Sequence, residues 1–142
     1  MKNRTLPIFA VIAVLSACDG STDTADATNV NAVEAGKAIF DERCADCHGT
    51  NLEGQPYWQV PNADGTVPPP PLNDEGTVWQ RSDQLLFRSI KLGGEAIVSG
   101  FHSAMPGFEK NLTDEQIWQV LSYIKSRWSP MIRARQERMN TK

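Results

Sequence analysis

At 142 residues, with 40% hydrophobic and 8% aromatic side chains, the chain has the length of one modest domain and a composition that argues against a disordered protein or a membrane bundle. Its 14 Lys and Arg against 17 Asp and Glu leave a formal charge of −3, which argues against an electrostatic nucleic-acid binder. Three cysteines are an odd number, so a disulfide framework cannot use them all.

In chain order, Met1 to Ala17 carries Lys2 and Arg4, then an apolar run from Leu6 to Leu15, then small residues before Cys18. That pattern predicts an export signal over residues 1–17, because the apolar run is shorter than the roughly 20 residues a spanning helix needs. Leu15-Ser16-Ala17-Cys18 resembles the lipobox of bacterial lipoproteins, which implies cleavage before Cys18 and lipidation of its thiol. Asp19 resembles a signal for retention in the inner membrane. Residues 18–30 are small, polar and acidic, bury too little to repay their ordering, and are expected to form a flexible leash.

Residues 31–130 are expected to form the folded domain. Asn31 with Glu34 suggests a capping box, followed by Val33, Gly36, Phe40 and Cys44 on one helical face. Gly49 to Gln80 has no sustained period and is punctuated by glycines and prolines, a length of loop that calls for a ligand to pack on. Ser82 is the predicted cap of a short helix carrying Leu85, Leu86, Ile90 and Leu92 and stopped by Gly93-Gly94. Thr113 with Gln116 forms a second capping box, ahead of Ile117, Val120, Leu121, Ile124 and Trp128 at helical spacing. Ser129-Pro130 ends or kinks that helix, and residues 131–142 form a basic tail. No alternating strand pattern of useful length occurs, so the expected fold is all-α, three to four helices with long loops.

Cys44-Ala45-Asp46-Cys47-His48 is a C-x-x-C-H sequence. Two thiols about one helical turn apart can add to the two vinyl groups of one porphyrin edge, while the next residue brings an imidazole to the iron. A thioredoxin-like dithiol would follow a strand, which is missing here. A zinc site needs four convergent ligands, and only Cys18 and His102 remain to supply them.

From Ala32 to Trp128 the chain resembles the class I cytochrome c family. Gly36 and Phe40 precede the C-x-x-C-H, Pro70 and Leu72 resemble the Pro-x-Leu after it, Met105-Pro106 resembles the distal ligand loop, and Val120 with Tyr123 resembles the C-terminal helix contact. The stretch Asn51 to Gln80 departs from the smallest members by being longer and richer in Pro and Trp. The resemblance implies one haem c bound covalently through Cys44 and Cys47, with His48 and Met105 as axial ligands of the iron. It also implies that Gly36 lets the terminal helices cross closely and that the Pro70 carbonyl, with Pro69 and Pro71 as alternatives, accepts the Nδ1 proton of His48. Trp58, Trp79 and Arg81 are candidate donors to the haem propionates. His102, Met131 and Met139 are the rivals of Met105.

A six-coordinate iron favours outer-sphere electron transfer over substrate chemistry, so the expectation is a monomeric electron carrier rather than an enzyme. It would sit on the periplasmic side of the inner membrane by its lipid, or be soluble in the periplasm, with a dehydrogenase and a terminal oxidase as partners and no nucleic acid. The alternatives are a ligand-binding or peroxidase-like haem protein with an open sixth position, and a tethered cytochrome subunit of an oxidase or dehydrogenase complex.

Overall fold

The computed structural model describes residues 24–97 and 100–141, so the expected export signal, Cys18 and the first part of the expected leash lie outside the described residues. The helices are α1 (Val30–Arg43), α2 (Ala45–His48), α3 (Asp83–Leu92), α4 (Asp114–Ser126) and α5 (Pro130–Asn140), with one 3-10 turn at Val78–Gln80. Among the described residues the only extended pairing is a single bridge between Val67 and Ser103. The architecture is all-α, as the sequence predicts.

The start of α1 differs from the expected Asn31–Glu34 box. Asn29 is the cap, its side chain accepting from the Ala32 amide at 3.1 Å. Before it, Thr28 donates its amide and hydroxyl to Asp26, and the Asp26 amide donates to Ser122 of α4 at 2.9 Å. The segment predicted as leash up to residue 30 is therefore already folded by Asp26, because this turn satisfies its own polar groups and Ala25 gains core contact.

Helix α1 crosses α4 at Gly36, where an added Cβ would fall 1.9 Å from the Gln119 carbonyl oxygen. Only glycine permits that approach, and one turn on Phe40 meets Tyr123 with ring centroids 5.3 Å apart. Helix α3 is capped by Ser82 and stacks Phe87 on Trp118 of α4 at 4.4 Å. The Thr113–Gln116 capping box of α4 forms in both directions. Ile117, Val120 and Leu121 behind it are essentially without solvent contact.

Residues 131–142 are not merely a basic tail: they continue from Pro130 as α5 up to Asn140. Ser129 accepts from the Ile132 amide and Pro130 occupies the first helical position, so the dipeptide that stops α4 also starts a new helix. Ile132 and Gln136 are buried, and Gln136 and Asn140 both donate to Asp83 at the head of α3.

Candidate haem site

Cys44, Cys47 and His48 sit where α1 gives way to α2. The Cys44 amide still bonds Phe40 of α1, while its carbonyl accepts from the amides of Cys47 and His48 at 3.2 and 2.9 Å. That geometry holds both thiols on one tight turn. Both cysteines are free, Cys44 half-buried and Cys47 exposed. Burial, aided by the neighbouring Cys47, pushes the Cys44 thiol up to about 11. It is thus protonated at neutral pH, unlike the low-pKa thiolate of a disulfide oxidoreductase. Among the described residues no group of three or more His, Cys, Asp or Glu is placed to hold a metal ion.

His48 Nδ1 lies 3.0 Å from the Pro70 carbonyl oxygen. Burial lowers the histidine's pKa, with the Pro70 carbonyl acting in the opposite direction as the lesser influence. The ring is therefore neutral at physiological pH, with its proton on Nδ1 toward Pro70. Its Nε2 makes no hydrogen bond among the described residues. Of the three prolines left open by the sequence, Pro69 is occupied otherwise, since its carbonyl accepts from the Gln55 amide at 2.9 Å. Two more backbone bonds align this region: Gly54 donates to His48, and Leu72 to Leu52, each at 2.8 Å. Gly54 is required here, for its φ is +70° and a Cβ would fall 2.4 Å from the Pro71 nitrogen.

Met105 lies on a loop laid against the end of α3. Gly94 donates to the Met105 carbonyl, Phe108 to Ile90 and Glu109 to Lys91, while the Met105 amide bonds the Ser103 hydroxyl. The Met105 side chain is half-buried and packs against the core. The His102 side chain is exposed, its Nδ1 3.7 Å from a Glu95 carboxylate oxygen. Met131 is exposed on α5, and Met139 lines a surface cleft with Thr24 and Asn140.

The expected propionate donors are not gathered in this way. Trp79 commits its indole N–H to the Gly76 carbonyl at 2.7 Å, a local bond three residues back that satisfies it within its own turn. The Arg81 side chain is exposed, and the residue's role among the described contacts is its carbonyl, which accepts from Gln136. Trp58 is half-buried without a hydrogen bond to another described residue. The tryptophan that does bond near the site is Trp128, which donates to the Leu72 carbonyl at 2.7 Å. The sequence carried a signal for it, since a fully buried indole must find an acceptor.

These residues fit a haem c: two free thiols on one turn, an imidazole fixed by its far nitrogen and a thioether against the apolar core. Comparison with known proteins agrees. The family model described as Cytochrome c matches residues 33–128. The chain is 32% identical over 97 residues to the Cbb3-type cytochrome c oxidase subunit FixP of Sinorhizobium medicae (strain WSM419), covering 67% of this chain and 30% of that protein. It is 30% identical over 111 residues to the Cbb3-type cytochrome c oxidase subunit CcoP of Azospirillum brasilense, covering 78% and 32% respectively. The match thus spans about a third of these longer relatives. Among solved structures, cytochrome CL of Methylophaga aminisulfidivorans MPT superposes with a TM-score of 0.54 at 25% identity, over 76% of this chain and 62% of that one. With the fold, the C-x-x-C-H turn and the family match in agreement, the chain belongs to the cytochrome c family and its cofactor is covalently bound haem c.

Proposed function

We propose that this protein carries single electrons through one haem c, ligated by His48 and Met105. The observation that carries the reading is the His48–Pro70 hydrogen bond, which fixes the tautomer and leaves Nε2 as the imidazole's donor atom. Covalently bound haem supplies a one-electron couple, and thioether ligation raises its potential. The chain's own residues do the rest: Cys44 and Cys47 fix the attachment edge, Pro70 holds the imidazole, and the bonds of Gly94, Ser103 and Phe108 hold the Met105 loop. His48 and Met105 would hold the iron of the bound haem, and electrons would then pass without a substrate binding it.

The domain is proposed to work on the periplasmic side of a bacterial inner membrane, lipid-anchored through Cys18, with a dehydrogenase as donor and a terminal oxidase as acceptor. A second reading, a tethered subunit of an oxidase complex, is favoured by the likeness to FixP and CcoP, both described as oxidase subunits.

Visible spectra of the purified holoprotein test the ligation. A six-coordinate low-spin spectrum in both oxidation states, with no carbon monoxide adduct on reduction at neutral pH, is expected. Ready carbon monoxide binding would replace the electron carrier by a ligand-binding haem protein.

A further inference from the structure

Pro68 to Pro71 are four consecutive prolines. None has an N–H, so this strap can be held by backbone hydrogen bonds only through its carbonyls until the amide of Leu72. Two of its bonds go to the segment that follows the C-x-x-C-H: Gln55 N–H to Pro69 O and Leu72 N–H to Leu52 O. The His48 ring uses Pro70 O. A further bond reaches the end of the strap from just beyond α4, where the Trp128 indole donates to Leu72 O at 2.7 Å, beside the weaker bond of Asn73 N–H to Leu52 O and that of Ser129 N–H to the Asp74 carboxylate. Trp128 is 2% exposed and Leu72 9%, so water does not readily replace that donor.

We propose that Trp128 is a positioning residue for the proximal histidine, holding the proline strap so that Pro70 O stays within reach of His48 Nδ1. This rests on the reading of His48 as an axial ligand. Removing the indole N–H leaves a buried carbonyl unpaired, and the strap relaxes two residues from Pro70 to find another partner. The Nδ1 bond lengthens, the imidazole becomes a poorer electron donor, and the oxidised iron loses stabilisation. The midpoint potential therefore rises.

The test uses covalently loaded holoprotein, comparing wild type, Trp128→Phe and Ile117→Ala. Ile117 is fully buried on α4, so its truncation loosens the same helix without touching Leu72 O. Two quantities are read: the midpoint potential, and the exchange rate of the iron-shifted His48 Nδ1 proton by NMR. Trp128→Phe is expected to raise the potential and speed exchange about fivefold, the effect of weakening one hydrogen bond. Ile117→Ala is expected to move neither. If Trp128→Phe fails to fold, the benzothienyl analogue of tryptophan, introduced at position 128 alone, keeps the ring shape and removes only the donor. Unchanged potential and exchange in the donor-free protein, or equal shifts in Ile117→Ala, would overturn the proposal. A wild-type holoprotein with no iron-shifted imidazole proton would instead refute His48 ligation itself, and the proposal with it.

Discussion

The Lys125 ammonium lies 2.7 and 2.9 Å from the two carboxylate oxygens of Asp83, and both side chains are nearly sealed from solvent under α5. Gln136 and Asn140 donate to the same carboxylate, so one acidic side chain at the head of α3 collects donors from α4 and α5. Truncating one partner of a buried pair leaves the other charge uncompensated. Lys125→Met is therefore expected to cost about 3 kcal/mol, as read by guanidinium unfolding of the holoprotein. The exposed Lys37–Asp41 pair on α1 provides the contrast: solvent screens it, and Lys37→Met should leave stability nearly unchanged. Equal losses at both sites would remove the buried network from the account of how α5 is held.

The α1–α4 crossing gives a second prediction. A methyl at position 36 meets the Gln119 carbonyl, which belongs to helix backbone and cannot swing aside. Gly36→Ala should lower stability by about 2–3 kcal/mol despite alanine's better helix propensity. The neighbouring exposed Ala38→Gly should instead cost only the intrinsic propensity of about 1 kcal/mol. Thermal unfolding of the two holoproteins checks the order, and a stabilised Gly36→Ala would contradict the close crossing.

The features legible in the sequence were those set by local chemistry or by strict period. The Ser82 and Thr113 caps, the apolar face of α4 and the C-x-x-C-H turn each depend on residues within a few positions, and all of them stand in the structure. The start of α1 was displaced because Asn29 and Asn31 are equally good caps by type, and the bond from Asp26 to Ser122, 96 residues away, settles which one is used. Helix α5 escaped notice because charged residues dominate it: its burial rests on Ile132 and Gln136, and on an Asp83 partner that only the tertiary fold supplies. In the sequence Trp79 is an expected propionate donor, whereas Trp128 reads only as part of an apolar helix face. Their acceptors, Gly76 and Leu72, separate a local turn bond from a bond that spans 56 residues.

Covalent attachment predicts that acid-acetone will not extract the haem, since thioether bonds survive acid. Cys44→Ala and Cys47→Ala should each impair maturation. Because so long a loop as Gly49 to Gln80 is expected to pack on the haem, the haem-free chain should be poorly folded by circular dichroism. Full-level holoprotein from the double variant would refute attachment at this pair.

Lipid anchoring at Cys18 predicts that Cys18→Ser releases the protein from membranes while its visible spectrum is unchanged. Several acyl chains on one residue anchor stably, where a single chain binds only marginally. The check is fractionation of cells together with mass spectrometry of the mature N-terminus. A wild-type protein already soluble, beginning at another residue, would refute the lipobox reading.

The distal ligand provides the last prediction, through the contrast between Met105 and His102. They are three residues apart on one loop, and imidazole binds ferric iron well, so sequence proximity does not choose between them. Burial does favour one: the Met105 side chain packs against the core, whereas the His102 side chain is 67% exposed and faces Glu95. The loop backbone supports the same choice, because bonds from Gly94 and to Ser103 hold Met105 at its own carbonyl and amide. Pro106 restricts Met105 to an extended conformation and brings no amide of its own. Met105→Ala is therefore expected to abolish the weak far-red sulfur-to-iron band, lower the midpoint potential and open the reduced iron to carbon monoxide. His102→Ala is expected to leave all three nearly unchanged, since it removes an exposed ring with one loose carboxylate neighbour. Spectroelectrochemistry and carbon monoxide titration of the two holoproteins read the difference directly. The reverse pattern would make the protein a bis-histidine cytochrome and turn the expected potential from high to low, because a second imidazole stabilises ferric iron where a thioether favours ferrous.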